Sequence, residues 1–136
     1  MQQVPQSLKI WFIIHFFADI IFAVPLILFP IPFLAFLGFT TIDPLASRLV
    51  GAALVGIGTT SLIAKDKGVE SCNTLLTLKL MWSSTAAFGI LLSIMFNQAP
   101  MSAWVFFVIF TLFFFLWLYY QRRLKEKGRK KEGKYL

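Results

Sequence analysis

The chain has 136 residues, is 58% hydrophobic and 17% aromatic, and carries a net charge of +7 at neutral pH. A soluble domain of this size does not hold so much apolar surface, so the composition indicates an integral membrane protein. The single cysteine, Cys72, excludes an intrachain disulfide, a pair of redox thiols and a multi-thiolate metal site within one chain. Few polar residues are left for chemistry, so we expect no enzymatic activity, no cofactor and no metal.

Four apolar segments are long enough to cross a bilayer, since a spanning helix needs about 20 apolar residues. We call them spans 1 to 4, and they cover residues 9–29, 45–64, 74–96 and 101–120. Most of the Lys and Arg residues follow span 4, which by the positive-inside rule makes that end cytoplasmic. An even number of spans puts the N-terminus on the same side. The predicted fold is an all-α four-transmembrane-helix bundle over residues 1–121, followed by a basic cytoplasmic tail over 122–136, in a plasma or inner membrane.

Prolines and a capping residue mark the helix ends in the first half of the chain. Pro25 lies inside span 1 and removes one backbone donor, and two further prolines end the helix. The apolar segment 31–39 is too short to span, so we expect it to lie along the outer interface or to re-enter between the helices. Asp43 followed by Pro44 is typical of an N-cap and first turn, and it predicts the start of span 2.

Small residues spaced four apart in spans 2 and 3 are the pattern that lets membrane helices approach closely. They are Ala52, Gly56 and Thr60 in span 2, and Thr85, Gly89 and Ser93 in span 3. We therefore predict that spans 2 and 3 pack against each other through these residues and form the tight centre of the bundle. Span 4 is almost entirely aromatic and aliphatic, so we expect its rings to face lipid or a partner protein.

Two ionisable side chains, His15 and Asp19, lie within the otherwise apolar span 1. Their spacing places them on one face of a helix, one turn apart. A central Asp costs about 2.5 to 3.5 kcal/mol to insert, so such residues face the bundle interior or a wet cavity. One interpretation is a polar contact with hydroxyl groups of span 2 or 3. The other is a site that binds a proton or a ligand, because imidazole changes charge near neutral pH.

The remaining charged residues have simpler interpretations. Lys79 in span 3 and Arg48 in span 2 are expected to extend their charged ends to the nearest membrane interface. Arg122, Arg123 and Lys125 either anchor the topology or bind anionic lipid headgroups, at about 1 kcal/mol for each residue near the surface. Since the basic residues follow a membrane span, we expect the bilayer as partner and no nucleic acid.

The segment "DPLASRLVGAALVGIGTTSLIA", residues 43–64, follows a first helix that ends in prolines. This arrangement resembles small four-helix membrane proteins of the DoxX-like kind. The resemblance covers spans 1 and 2 more than the rest, and it rests on a proline at a helix start, an arginine and a glycine-rich second helix. Many such proteins have no assigned activity, so it implies the architecture and transfers no catalytic residue.

Two functional hypotheses follow. The leading one is a non-enzymatic accessory or assembly subunit, present as a homo-oligomer or within a larger membrane complex, in which His15 and Asp19 make internal polar contacts. The alternative is a proton-coupled carrier, or a binder of a small lipophilic ligand such as a quinone or sterol, with the same two residues lining its cavity. In the first case Asp19→Asn lowers abundance, and in the second it abolishes binding or transport while the fold is kept.

Overall fold

The computed structural model describes residues 4–132, with the side chains of residues 4–126. Over this part of the chain the structure has five helices and no strand. They are α1 (Gln6–Leu28), α2 (Pro30–Phe36), α3 (Pro44–Ala64), α4 (Val69–Met95) and α5 (Ala103–Glu132). The helices α1, α3, α4 and α5 are long and apolar enough to cross a membrane. The all-α class and four candidate spans are confirmed, and these helices indicate an integral membrane protein.

The predicted start of α3 is confirmed in detail. Asp43 caps the helix, and its Oδ1 accepts hydrogen bonds from the backbone N–H of Leu45 at 2.8 Å and of Ala46 at 3.2 Å. Pro44 occupies the first turn, where no backbone donor is needed. The segment after α1 forms the short helix α2, which contacts both α1 and α3. Its two predicted positions, interfacial or re-entrant, stay predictions.

The long helices associate as two pairs, α1 with α3 and α4 with α5. The α1 residues that become buried recur every three or four positions, which places them on one face. They are Leu8, Phe12, His15, Asp19, Ala23 and Leu26. The two helices of this pair run antiparallel, since Gly51 of α3 approaches Ala23 while Gly58 approaches Asp19.

The small residues predicted to pack spans 2 and 3 together do not make that contact. Most of them are exposed and Ser93 is half-buried; the set is Ala52, Gly56, Thr60, Thr85, Gly89 and Ser93. A Cβ atom added at Gly56 or Gly89 would meet no atom within 4 Å. The prediction is wrong for the described chain, because the close approach on α3 is made by Gly51 and Gly58, and its partner is α1.

Apolar residues from all four long helices meet near the start of α1. This cluster includes Leu8, Phe12, Ala64, Cys72, Leu75, Leu76, Trp117, Tyr120 and Leu124. Trp117 is fully buried there, so the expectation that the rings of span 4 all face lipid or a partner is wrong for this residue. The helix α5 continues into the predicted tail as far as Glu132, with Arg122, Arg123 and Lys125 exposed along it. Residues 133–136 of the tail lie outside the described residues.

Candidate functional site

A carboxylate, an imidazole and an ammonium group meet between α1 and α4. Nδ1 of His15 lies 2.8 Å from Oδ2 of Asp19 and 2.9 Å from Nζ of Lys79. The exposed fractions are 6% for Asp19, 6% for His15 and 1% for Lys79. The contact between His15 and Asp19 is the one that their spacing predicts. We call the three residues the Asp–His–Lys network.

We expected Lys79 to extend to the membrane interface, but its side chain is buried in the protein. The helix α4 begins at Val69, so Lys79 lies about 15 Å along the helix at a rise of 1.5 Å per residue. Its side chain points into the protein, as do those of Cys72, Leu76 and Ser83 on the same face of α4. This spacing of three and four was the signal that could have identified Lys79 as an interior residue.

Aromatic rings surround the network. The His15 ring packs edge-on against Phe113, with ring centroids 4.6 Å apart, and against Trp117 at 5.2 Å. Nζ of Lys79 lies 4.9 Å from the centroid of a Trp117 ring and 5.8 Å from that of the Phe12 ring. We call Phe12, Phe113 and Trp117 the aromatic cage. It shields the charges from water, and electrostatic interactions are stronger in such surroundings.

The backbone of α3 closes the side of the network next to Asp19. A Cβ atom added at Gly58 would lie 3.1 Å from Cβ of Asp19, 3.2 Å from its Oδ2 and 3.4 Å from Cδ2 of Phe16. The two distances to Asp19 are tighter than nine in ten real Cβ contacts. Glycine at this position therefore allows α3 to lie directly against Asp19.

Four of the hydroxyl groups expected to meet His15 or Asp19 bond elsewhere. Thr60 donates to the carbonyl of Gly56 at 2.7 Å, and Ser61 donates to that of Ile57 at 2.8 Å. Ser84 and Thr85 likewise donate to carbonyls of the preceding turn of α4. Hydroxyls in helices commonly bond to their own backbone in this way. The partner of His15 across the helices is Lys79 instead.

The proton on His15 determines which of its two contacts is a hydrogen bond. An imidazole nitrogen carries either a proton or a lone pair. With a lone pair, Nδ1 accepts from the Lys79 ammonium, and with a proton it donates to the Asp19 carboxylate. Nδ1 lies within hydrogen-bond distance of both partners, at 2.8 Å from Oδ2 of Asp19 and 2.9 Å from Nζ of Lys79. When Nδ1 acts as the acceptor, it binds α1 to α4 through Lys79.

The network is electrically neutral overall when Asp19 is ionised, Lys79 is an ammonium ion and Nδ1 of His15 acts as an acceptor. Neutrality suits a site surrounded by apolar helices, because an uncompensated charge there is costly. Among the residues that the structure describes, no group of three His, Cys, Asp or Glu side chains could hold a metal ion.

Further polar contacts hold the helix ends together. Lys9 at the start of α1 pairs with Asp66 in the connection between α3 and α4, with 3.1 Å between Nζ and Oδ1, and Lys65 also pairs with Asp66. Hydrogen bonds from Lys65 and Lys9 lower the pKa of Asp66 below its usual value. At the other end of the pair, Nε of Arg48 donates to the carbonyl of Ile27 at 3.1 Å. Arg48 is therefore partly engaged in binding α3 to α1.

Comparison of the chain with protein-family models, with curated proteins and with solved structures finds no match. The resemblance to DoxX-like proteins stays a prediction. The features that indicate a function are the chemistry of the Asp–His–Lys network and its position between the two helix pairs.

Proposed function

We propose that the protein is a proton-coupled carrier of a small lipophilic solute, and that the Asp–His–Lys network is its proton-binding site. The observation that supports this most strongly is the position of Nδ1 of His15. One nitrogen lies 2.8 Å from a carboxylate and 2.9 Å from an ammonium group, and all three side chains are buried. The state of one proton then selects between two contacts.

The energetic cost of the network favours a function over a purely structural role. Inserting a charged residue at the centre of a span costs about 2.5 to 3.5 kcal/mol on insertion scales. A polar contact between membrane helices returns on average about 0.6 kcal/mol. Replacing a buried ion pair by apolar residues of similar volume is often neutral or stabilising. Helix packing alone therefore gives little reason to keep these three groups.

The position of the network suggests how a proton changes the protein. Asp19 and His15 belong to the pair α1 and α3, whereas Lys79 belongs to the pair α4 and α5. While Nδ1 is an acceptor, it binds Lys79 and holds the two pairs together. When Nδ1 gains a proton it turns to Asp19 on its own helix, and the imidazolium repels the ammonium. Protonation thus weakens the contact between the two helix pairs. A proton-driven carrier needs such a coupling between proton binding and a change in the arrangement of its helices.

A measurement of the distance between the two helix pairs tests this proposal. Spin labels are placed at two exposed positions, one on each pair, by Leu49→Cys in α3 and Phe88→Cys in α4, with Cys72→Ala in the background. Pulsed electron paramagnetic resonance then gives the distance distribution in bicelles at about pH 5 and about pH 9, a range that brackets imidazole titration. We expect the wild-type distribution to become longer or broader in acid. Lys79→Met should give one distribution at both pH values, and the control Lys65→Met should respond like the wild type.

Two results would contradict the proposal. One is a wild-type distribution that is the same at both pH values. The other is a pH response of Lys79→Met equal to that of the wild type, since the response must then arise outside the network.

A second candidate function is that of a non-enzymatic accessory or assembly subunit. The exposed small residues on α3 and α4 favour it, because such residues let a further helix approach closely in lipid. Native mass spectrometry of the mildly extracted protein, beside Gly56→Leu and Gly89→Leu, distinguishes it from the carrier. A stoichiometric partner chain that is lost in these variants would support the subunit. A protein that extracts without a partner and responds to pH as above would support the carrier.

A further inference from the structure

We propose that the aromatic cage and Asp19 form a binding site for an organic cation, and that the Lys79 ammonium occupies this site as an internal ligand. The inference rests on the proposed carrier function and names the class of its solute. That class is a lipophilic ammonium ion, either quaternary or a protonated amine.

Two rings of the aromatic cage lie close to Nζ of Lys79. The centroids of Trp117 and Phe12 lie 4.9 and 5.8 Å from the nitrogen, and a ring face attracts a cation within about 6 Å. Aromatic cages of this kind are a known means of binding quaternary ammonium groups, which have no N–H to donate. Asp19 supplies the negative charge, and a carboxylate attracts such a cation without receiving a hydrogen bond from it.

Charge neutrality defines the exchange between Lys79 and an incoming cation. The ionisable groups of the described chain that meet at this site are His15 and Asp19 from α1 and Lys79 from α4. The helix α3 approaches with Gly58, and α5 approaches with the rings of Phe113 and Trp117. When a cation enters, the site stays neutral if one N–H bond of the Lys79 ammonium breaks and the proton passes to water, leaving a neutral amine. Nothing is oxidised or reduced, and one cation is exchanged for one proton.

Calorimetric titration with benzyltrimethylammonium tests the site, because this quaternary cation carries no proton of its own. The full-length protein in mild detergent should bind it with an affinity that rises with pH, by up to about tenfold per pH unit, since one proton leaves for each cation bound. Asp19→Asn should lose binding, because the negative charge is removed. Lys79→Met should bind more tightly, because the competing ammonium is gone. The control Lys65→Met should bind like the wild type.

A second pair of variants covers the case in which Asp19→Asn does not fold. Trp117→Leu removes the ring nearest the ammonium, and we expect it to weaken binding by about tenfold or more. Trp117→Phe keeps a ring and should weaken binding less. Circular dichroism and a single species in size-exclusion chromatography establish that each variant is folded.

Three outcomes would overturn the proposal. The first is equal binding by Trp117→Leu and the wild type. The second is lost binding in a folded Lys79→Met variant, because Lys79 would then assist the ligand rather than compete with it. The third is the same heat in every variant, which indicates partition into detergent. If one of these occurs while the distance across the helix pairs still responds to pH, the carrier proposal stands with another solute, and loss of both responses refutes both.

Discussion

Adding a single methyl group to α3 tests the contact that positions Asp19. In Gly58→Ala the new Cβ would lie 3.1 Å from Cβ of Asp19 and 3.2 Å from its Oδ2. Nδ1 of His15 lies 2.8 Å from the same Oδ2, so the side chain of Asp19 has little room to turn away. The helices α1 and α3 must therefore separate by a few tenths of an ångström.

The expected effect is a difference between two terms. Overpacking a close contact costs about 1 to 3 kcal/mol, whereas Ala in place of Gly within a helix returns about 1 kcal/mol. Gly58→Ala should thus lose about 0 to 2 kcal/mol of unfolding free energy. Gly56→Ala is the matched control, because a Cβ there meets no atom within 4 Å. It should gain up to about 1 kcal/mol, which makes Gly58→Ala the less stable variant by about 1 to 3 kcal/mol.

The assay is reversible unfolding in mixed micelles, followed by circular dichroism for the wild type and both variants. The expected order of stability is Gly56→Ala, then wild type, then Gly58→Ala. Equal stability of the two variants, or a larger loss in Gly56→Ala, would refute the reasoning about which face of α3 contacts α1. The second of these results would instead support the packing predicted from the small residues of span 2.

Three further predictions concern the charges and the helix cap. Asp19→Asn leaves the Lys79 ammonium buried without a counter-charge and should cost about 3 to 5 kcal/mol of unfolding free energy. In a double-mutant cycle, adding Lys79→Met should recover most of this loss. Asp43→Ala removes the acceptor for two backbone N–H groups of α3 and should cost about 1 kcal/mol in the same assay. Two neighbouring lysines lower the pKa of Asp66 in the folded protein. The ion pairs of Asp66 therefore stabilise the fold at pH values above its unfolded pKa of about 3.9. This contribution is lost as the pH falls through the lower pKa of the folded protein. The stability difference between wild type and Asp66→Asn should therefore close in unfolding measurements taken from neutral pH downward.

The features of the fold that depend on local sequence were predictable. The apolar lengths of the four spans indicate membrane helices, and the Asp43 cap with Pro44 identifies the start of α3 within one residue. The contact between His15 and Asp19 also follows from local geometry, since positions four apart on one helix are neighbours.

The features that depend on contacts between helices were not predictable in the same way. The small-residue pattern indicates that α3 can be approached closely, but Gly56 and Gly58 lie on different faces and the pattern does not say which face is used. The sequence predicts that span 3 begins at residue 74, which puts Lys79 close enough to the membrane interface for its long side chain to reach it. The helix begins ten residues before Lys79, at Val69, and α5 covers Lys79 with Trp117. The burial of Lys79 depends on the pairing of α4 with α5, and this pairing cannot be derived from a single sequence.

The most direct test of the network is nitrogen-15 nuclear magnetic resonance of the histidine ring, because His15 is the one histidine in the chain. We predict that in alkaline solution Nδ1 carries no proton and accepts a hydrogen bond from Lys79. As the pH falls, Nδ1 should gain a proton. In Lys79→Met, Nδ1 should carry a proton at every pH, since Asp19 is then its remaining partner in the network. An Nδ1 signal that changes neither with pH nor in Lys79→Met would contradict the claim that one proton selects between the two contacts.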